Sequence, residues 1–205
     1  SAASDVYKRQ EPIVGFALDL GTTSLAGVLV DLSTGKILAK ASGGNGQIRY
    51  GADVINRIIE SDKTGGRKRL QDAVIKESII PMLAQMYRTA GINPRRIYRM
   101  VLAGNTTMNH LLLGLHADPV RMEPFVPSFF RADYLYARDI GLKMNPVAEL
   151  IVAPNIGSYV GGDITAGALV SMIWNSPELS LFIDLGTNGE LVFGNNEFLM
   201  SCACS

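Results

Sequence analysis

The chain has 205 residues, 47% hydrophobic and 19% charged, with Lys+Arg and Asp+Glu both at 19. This composition can bury a full core, and the charge balance excludes a basic surface built for nucleic acid or anionic membranes. The most apolar run, 164–174, is shorter than the roughly 20 residues that cross a bilayer, so no membrane partner is expected.

The first ten residues, "SAASDVYKRQ", share no periodicity with the rest of the chain and read as a cloning remnant or a sequence-reading artefact outside the fold. Residues 13–20, 24–32 and 36–41 are apolar, β-branched runs separated by Gly21-Thr22-Thr23 and by Ser33-Thr34-Gly35, which predicts a three-stranded antiparallel meander. After a Gly-rich loop, "ADVINRIIESD" places Val54, Ile55, Ile58 and Ile59 on one helical face. A second helical pattern runs from Leu70 to a C-cap at Gly91, kinked or divided at Pro81. A short buried strand at 98–103 leads into "GNTTMNHLLLGL", where Asn105 or Thr106 caps a helix carrying Met108, Leu111, Leu112 and Leu115.

Between about 117 and 155, prolines at 119, 124, 127, 146 and 154 and the aromatics Phe125, Phe129, Phe130, Tyr134 and Tyr136 suggest an irregular insertion, either packed on itself or presented to a partner. Gly161-Gly162-Asp163 then opens an apolar helix over 164–174, with Asp163 at the position of an N-cap. A second meander follows at 181–185, 190–193 and 197–202. His110 and His116 have no metal-ligand spacing and read as structural or surface residues. Cys202 and Cys204 lie too close along one strand for a relaxed disulfide, which favours free thiols and a reducing, cytoplasmic setting.

The two meanders repeat a signal. Aligning "LDLGTTS" with "IDLGTNGE" pairs Asp19 with Asp184, Gly21 with Gly186 and Thr22 with Thr187, as an internal duplication would. A Gly/Thr hairpin tip gathers backbone N–H groups and hydroxyls, and glycine lets an anion approach the backbone closely. An aspartate at the end of the preceding strand supplies an oxygen ligand for Mg²⁺. Each turn alone is also compatible with a plain hairpin, but two copies favour a clamp that holds a polyphosphate and its metal from both sides.

These motifs resemble the two phosphate motifs of the actin, sugar kinase and heat-shock chaperone ATPase superfamily. "QIRYGADVINRI", "LAGNTTMNHLLLGL", "APNIGSYVGGDITAG" and "FIDLGTNGELVFG" are more narrowly similar to the C-terminal ATPase domain of the reductive activators of corrinoid proteins, from about residue 13 onward. The resemblance implies an α/β, ribonuclease-H-like (actin-like ATPase) fold, duplicated, with an incomplete second half: residues 11–176 form the first half and 177–205 begin the second. It also implies ATP and Mg²⁺ as cofactors and a corrinoid protein of a methyltransferase system as partner, with ATP driving reduction of Co(II) to Co(I). The iron–sulfur cluster that delivers the electron is expected in a separate or missing N-terminal domain, and the superfamily's adenosine motif beyond residue 205.

On this reading Asp19 and Asp184 hold the metal, and Gly21, Thr22, Thr23, Gly186, Thr187 and Asn188 hold the phosphates. Asp163 orients the attacking water, a role compatible with capping its helix. Gly104, Asn105, Thr106 and Thr107 either line the cleft or only start a helix. Glu190 faces either the cleft or solvent. Two other functions stay open: a small-molecule kinase in which Asp163 deprotonates a hydroxyl, and a nucleotide-binding scaffold without turnover.

Overall fold

The computed structural model describes residues 12–204, so the expectation for the first ten residues lies outside the described part. Strands β1 (Val14–Leu20), β2 (Ser24–Asp31) and β3 (Ile37–Gly44) form the expected antiparallel meander. β4 (Ile97–Gly104) adds parallel to β1, β6 (Glu149–Val152) parallel to β4, and the two-residue β5 (Leu135–Tyr136) antiparallel to β6, giving the order β3-β2-β1-β4-β6-β5. Strand alternation decides the layers. Val14, Phe16, Leu18 and Leu20 of β1, with Met100 and Leu102 of β4, enter one large core. Asp19, between Leu18 and Leu20, therefore points to the opposite side of the sheet.

Helices α1 (Val54–Asp62), α2 (Gly66–Val74), α3 (Ile80–Ala90) and α4 (Thr106–Leu113) supply the rest of that core, through Ile58, Leu70, Leu83, Met86, Met108 and Leu111 among others. The face that α1 buries is Val54, Arg57, Ile58 and Ser61, while Ile55 and Ile59 are exposed. The expected apolar face is thus rotated to take an arginine inside. Pro81 divides the second helical run as expected, through a π-helical stretch at Ile75–Ile79 between α2 and α3. Proline in the first turn of α3 leaves the carbonyl four residues earlier without a donor; the wider turn, with the Ile80 N–H bonded to the Ile75 carbonyl, carries the chain past it. Gly91 is left-handed, as a C-cap requires.

The insertion is less irregular than its prolines suggest. β6 lies inside the predicted irregular region yet is a full member of the sheet, with Leu150 and Val152 buried and Glu149 and Ile151 exposed. At four residues it is too short for its alternation to stand out. α5 (Gly162–Ser171) follows, and the second meander, β7 (Ser180–Leu185), β8 (Gly189–Gly194) and β9 (Leu199–Cys204), forms a separate three-stranded sheet. Ile164 of α5, Val160, Ile173 and Val192 make a small second core on which Phe182 packs. Gly167 admits the Phe182 ring, since a Cβ there would lie 2.4 Å from it. Cys202 and Cys204 are free and exposed. Among the described residues no helix is long and apolar enough to cross a membrane.

Candidate functional site

The two Gly/Thr turns meet. The Thr23 and Thr187 hydroxyls are 3.2 Å apart across 164 residues of sequence. Beneath them lies a cavity of about 270 Å³ lined by Asp19, Gly21, Thr22, Thr23, Ser24, Asn105, Asp163, Asp184, Leu185, Gly186, Thr187, Asn188 and Glu190. Of the residues singled out in the sequence for the cleft, only Gly104, Thr106 and Thr107 stay out of it. Gly104 is buried beneath the first turn, where a Cβ would come 2.8 Å from the Leu20 carbonyl oxygen. Thr107 is buried in the first turn of α4. Thr106 is fully buried, and its hydroxyl donates to the Gly157 carbonyl at 2.5 Å. These residues pack α4 against its neighbours and do not line the cavity.

Local chemistry builds the first turn. At Gly21 a Cβ would sit 2.5 Å from the Ser24 carbonyl oxygen, so the tight return into β2 needs glycine. The Asn105 Oδ1 accepts from the Met108 N–H at 2.9 Å, capping α4, while its Nδ2 donates to the Thr22 hydroxyl at 3.0 Å. Asn105 therefore both caps α4 and lines the cavity. The turn is held from behind by Asn45, which is 2% exposed and whose Nδ2 donates to the Gly21 carbonyl at 2.9 Å. No sequence signal marks Asn45 out, because its partner is 24 residues away. In the second hairpin Glu190 pairs directly with Asp184 across β7 and β8, so their side chains share a face. The corresponding partner of Asp19 is Ala26, and here the duplicated hairpins differ in charge.

Asp163 is not an N-cap. α5 begins two residues earlier than expected, with Gly161 as cap, because Gly161 lies directly on the start of α4: a Cβ there would be 2.5 Å from the Asn105 Cα. Asp163 sits in the first turn instead, its Oδ1 accepting the Ile164 N–H at 2.9 Å, where the helix dipole favours a carboxylate. Its pKa is nonetheless pushed up to about 6, first by burial and then by the charges of Asp184 and Asp19. Burial and Asp184 raise the Asp19 carboxyl, and burial, Asp163 and Asp184 raise Glu190. These shifts describe carboxylates gathered without a counter-charge, since no Lys, Arg or His lines the cavity.

That donor set fits a hard divalent cation. Among the described residues no group of three or more His, Cys, Asp or Glu is placed to hold a metal unaided. Mg²⁺ rarely needs such a cage; it keeps several waters and takes one or two carboxylates plus phosphate oxygens. Asp19 and Asp184 could contribute to such a shell, with the turn amides and hydroxyls free for the phosphates.

The other candidates are structural. His110 is fully buried, with its Nδ1–H donating to the Thr106 carbonyl at 2.7 Å and its Nε2 accepting the Ser128 N–H at 3.0 Å. The Phe129 ring stacks on it at 4.8 Å. His116 is a surface residue beside Asp62.

Residues 14–176 match the RACo middle region, and residues 178–205 match the C-terminal domain of RACo, the ASKHA domain. The corrinoid activation enzyme RamQ of Eubacterium limosum is 35% identical over 96% of the chain, and the [Co(II) methylated amine-specific corrinoid protein] reductase of Methanosarcina barkeri is 28% identical over 86%. The chain spans about a third of the length of each, 33%. A solved reductive activator for a corrinoid, iron–sulfur protein superposes with a TM-score of 0.93 at 41% identity, over 97% of this chain and 32% of that one. The α/β architecture is thus of the actin-like ATPase class, and the chain belongs to the family of reductive activators of corrinoid proteins.

Proposed function

We propose that this chain is the nucleotide-clamping part of an ATP-dependent activator that helps return a Co(II) corrinoid protein to Co(I). The observation that carries the proposal is the convergence of two Gly/Thr turns and the carboxylates Asp19, Asp163 and Asp184 on one cavity. The names of the relatives, which specify corrinoid activation and Co(II) corrinoid reduction, support the partner.

Each side of the clamp has a task. The amides and hydroxyls of Gly21, Thr22 and Thr23 receive phosphate oxygens from one side, and Gly186, Thr187 and Asn188 from the other. Asp19 and Asp184 would hold Mg²⁺, which when bound supplies charge neutralisation of the phosphates. Asp163 accepts a hydrogen bond from the attacking water and positions it, a role that depends on placement and is served by a carboxyl poised near neutrality. Because the turns of Thr23 and Thr187 join strands of different sheets, a ligand gripped by both turns couples the position of one sheet to the other. Such coupling lets nucleotide state alter the grip on a protein partner.

The test is the ATP hydrolysis rate of the natural-length protein with and without its Co(II) corrinoid protein. Stimulation by the corrinoid protein is expected. A rate indifferent to it, but raised by a sugar or carboxylic acid, would assign the site to a small-molecule kinase. ATP binding with no hydrolysis under either condition would make the chain a scaffold.

A further inference from the structure

Arg57 poses a problem that the residues lining the cavity do not solve. It is fully buried, and among the described residues its Nη2 has no partner and no carboxylate forms an ion pair with it, the charge of Asp53 acting on it only at longer range. Its Nε donates to the Gly51 carbonyl at 2.8 Å, and its Nη1 lies 3.4 Å from the Gln47 Oε1 and 3.3 Å from the Met108 Sδ. A buried guanidinium without an ion-pair partner is costly, and an apolar side chain of similar size would cost less. Burial lowers its pKa to about 10, which leaves it cationic at neutral pH.

Its surroundings lead to the first turn. The Met108 sulfur that Arg57 touches is also 3.7 Å from the Asn45 Nδ2, the atom that donates to the Gly21 carbonyl. The Asn45 N–H donates to the Thr23 carbonyl at 2.9 Å, and its Oδ1 accepts the Gln47 N–H at 3.0 Å. Asn45 therefore grips the carbonyls on both sides of Thr22 from behind. In a trans peptide the N–H points opposite to the C=O, so the grip on Gly21 turns the Thr22 N–H away from Asn45. Among the described residues no protein acceptor meets the amides of Thr22 and Thr23.

We infer that Asn45 and Arg57 are positioning residues for the first phosphate turn: Asn45 sets the direction of its amides, and Arg57 supplies from behind the fixed positive charge that a polyanion needs beside four carboxylates. This rests on the reading of the cavity as a phosphate site. Arg57 stands behind the wall, touching no ligand, and acts through the field in a low-dielectric interior.

The experiment is calorimetric titration of the natural-length protein, as wild type, Arg57→Met, Arg57→Lys and Asn45→Ala, with Mg-ATP, alongside urea unfolding of each. Arg57→Met should bind about tenfold more weakly or worse while being no less stable than wild type, a combination that a merely structural arginine would not give. Arg57→Lys, which keeps the charge, should bind close to wild type. Asn45→Ala should also lose affinity, and it decides the matter if Arg57→Met does not fold. Wild-type affinity in Arg57→Met, or in Asn45→Ala where Arg57→Met is unfolded, would overturn the inference and leave the site reading intact. A wild type that binds no Mg-ATP would overturn both.

Discussion

Replacing Asp163 with asparagine should make the protein more stable and, on the proposed function, abolish ATP hydrolysis. The Asp163 carboxyl is held at about 6 against an ordinary 3.8, a difference of about two units or roughly 3 kcal/mol at neutral pH. The sign comes from linkage. An acid whose folded pKa is raised binds its proton more tightly in the folded state, so stability is lost as pH rises from the unfolded pKa through the folded one. At pH 7 the full penalty applies; at pH 5 about half remains, and below about pH 4 it vanishes. Asparagine keeps an oxygen for the Ile164 N–H and removes the charge opposed by burial, Asp184 and Asp19. Urea unfolding of wild type and Asp163→Asn in metal-free buffer at pH 7 and pH 5 is the assay. A gain of on the order of 2–3 kcal/mol at pH 7 that shrinks toward half at pH 5 is expected. Equal stability at pH 7, or a gain independent of pH, would refute the description of the site as uncompensated carboxylates.

Gly161→Ala should cost about 1–3 kcal/mol in thermal or urea unfolding, since its Cβ would strike the backbone of Asn105 and Thr106; the same shift should weaken nucleotide binding. His110, whose pKa is lowered by burial, must stay neutral to accept the Ser128 N–H. Its contribution is lost as pH falls below the unfolded value of 6.5, so the acid-side fall in melting temperature should be shallower in His110→Asn than in wild type. Among the described residues the buried Tyr87 hydroxyl has no partner, and Tyr87→Phe should be neutral or stabilising by up to about 1 kcal/mol in the same unfolding assay.

The site is legible in the sequence where its chemistry is local. Asp19, Gly21 and Thr22, and their counterparts 184, 186 and 187, sit on hairpin tips that announce themselves, and the repeat makes each a check on the other. Asp163 stands out as a carboxylate, but its place on the helix does not, because the cap is set by the packing of Gly161 on Asn105, a contact between segments 56 residues apart. Glu190 is ambiguous until its register with Asp184 puts both on one face. Asn45 and Arg57 are invisible: an asparagine in a Gly-rich loop and an arginine on a helix ordinarily face solvent, and only tertiary packing turns them inward. The same override rotates the buried face of α1 away from Ile55 and Ile59. β6 escapes sequence reasoning because a four-residue strand beside prolines carries too little periodicity.

The central claim, that the two turns and their aspartates together hold a metal-bound triphosphate, is tested most directly by calorimetric titration of the chain with ATP, with and without Mg²⁺, in wild type, Asp19→Asn and Asp184→Asn. Binding should require Mg²⁺ in wild type and fall by at least about tenfold in each variant. ATP binding that is indifferent to Mg²⁺ and to both substitutions would contradict the account.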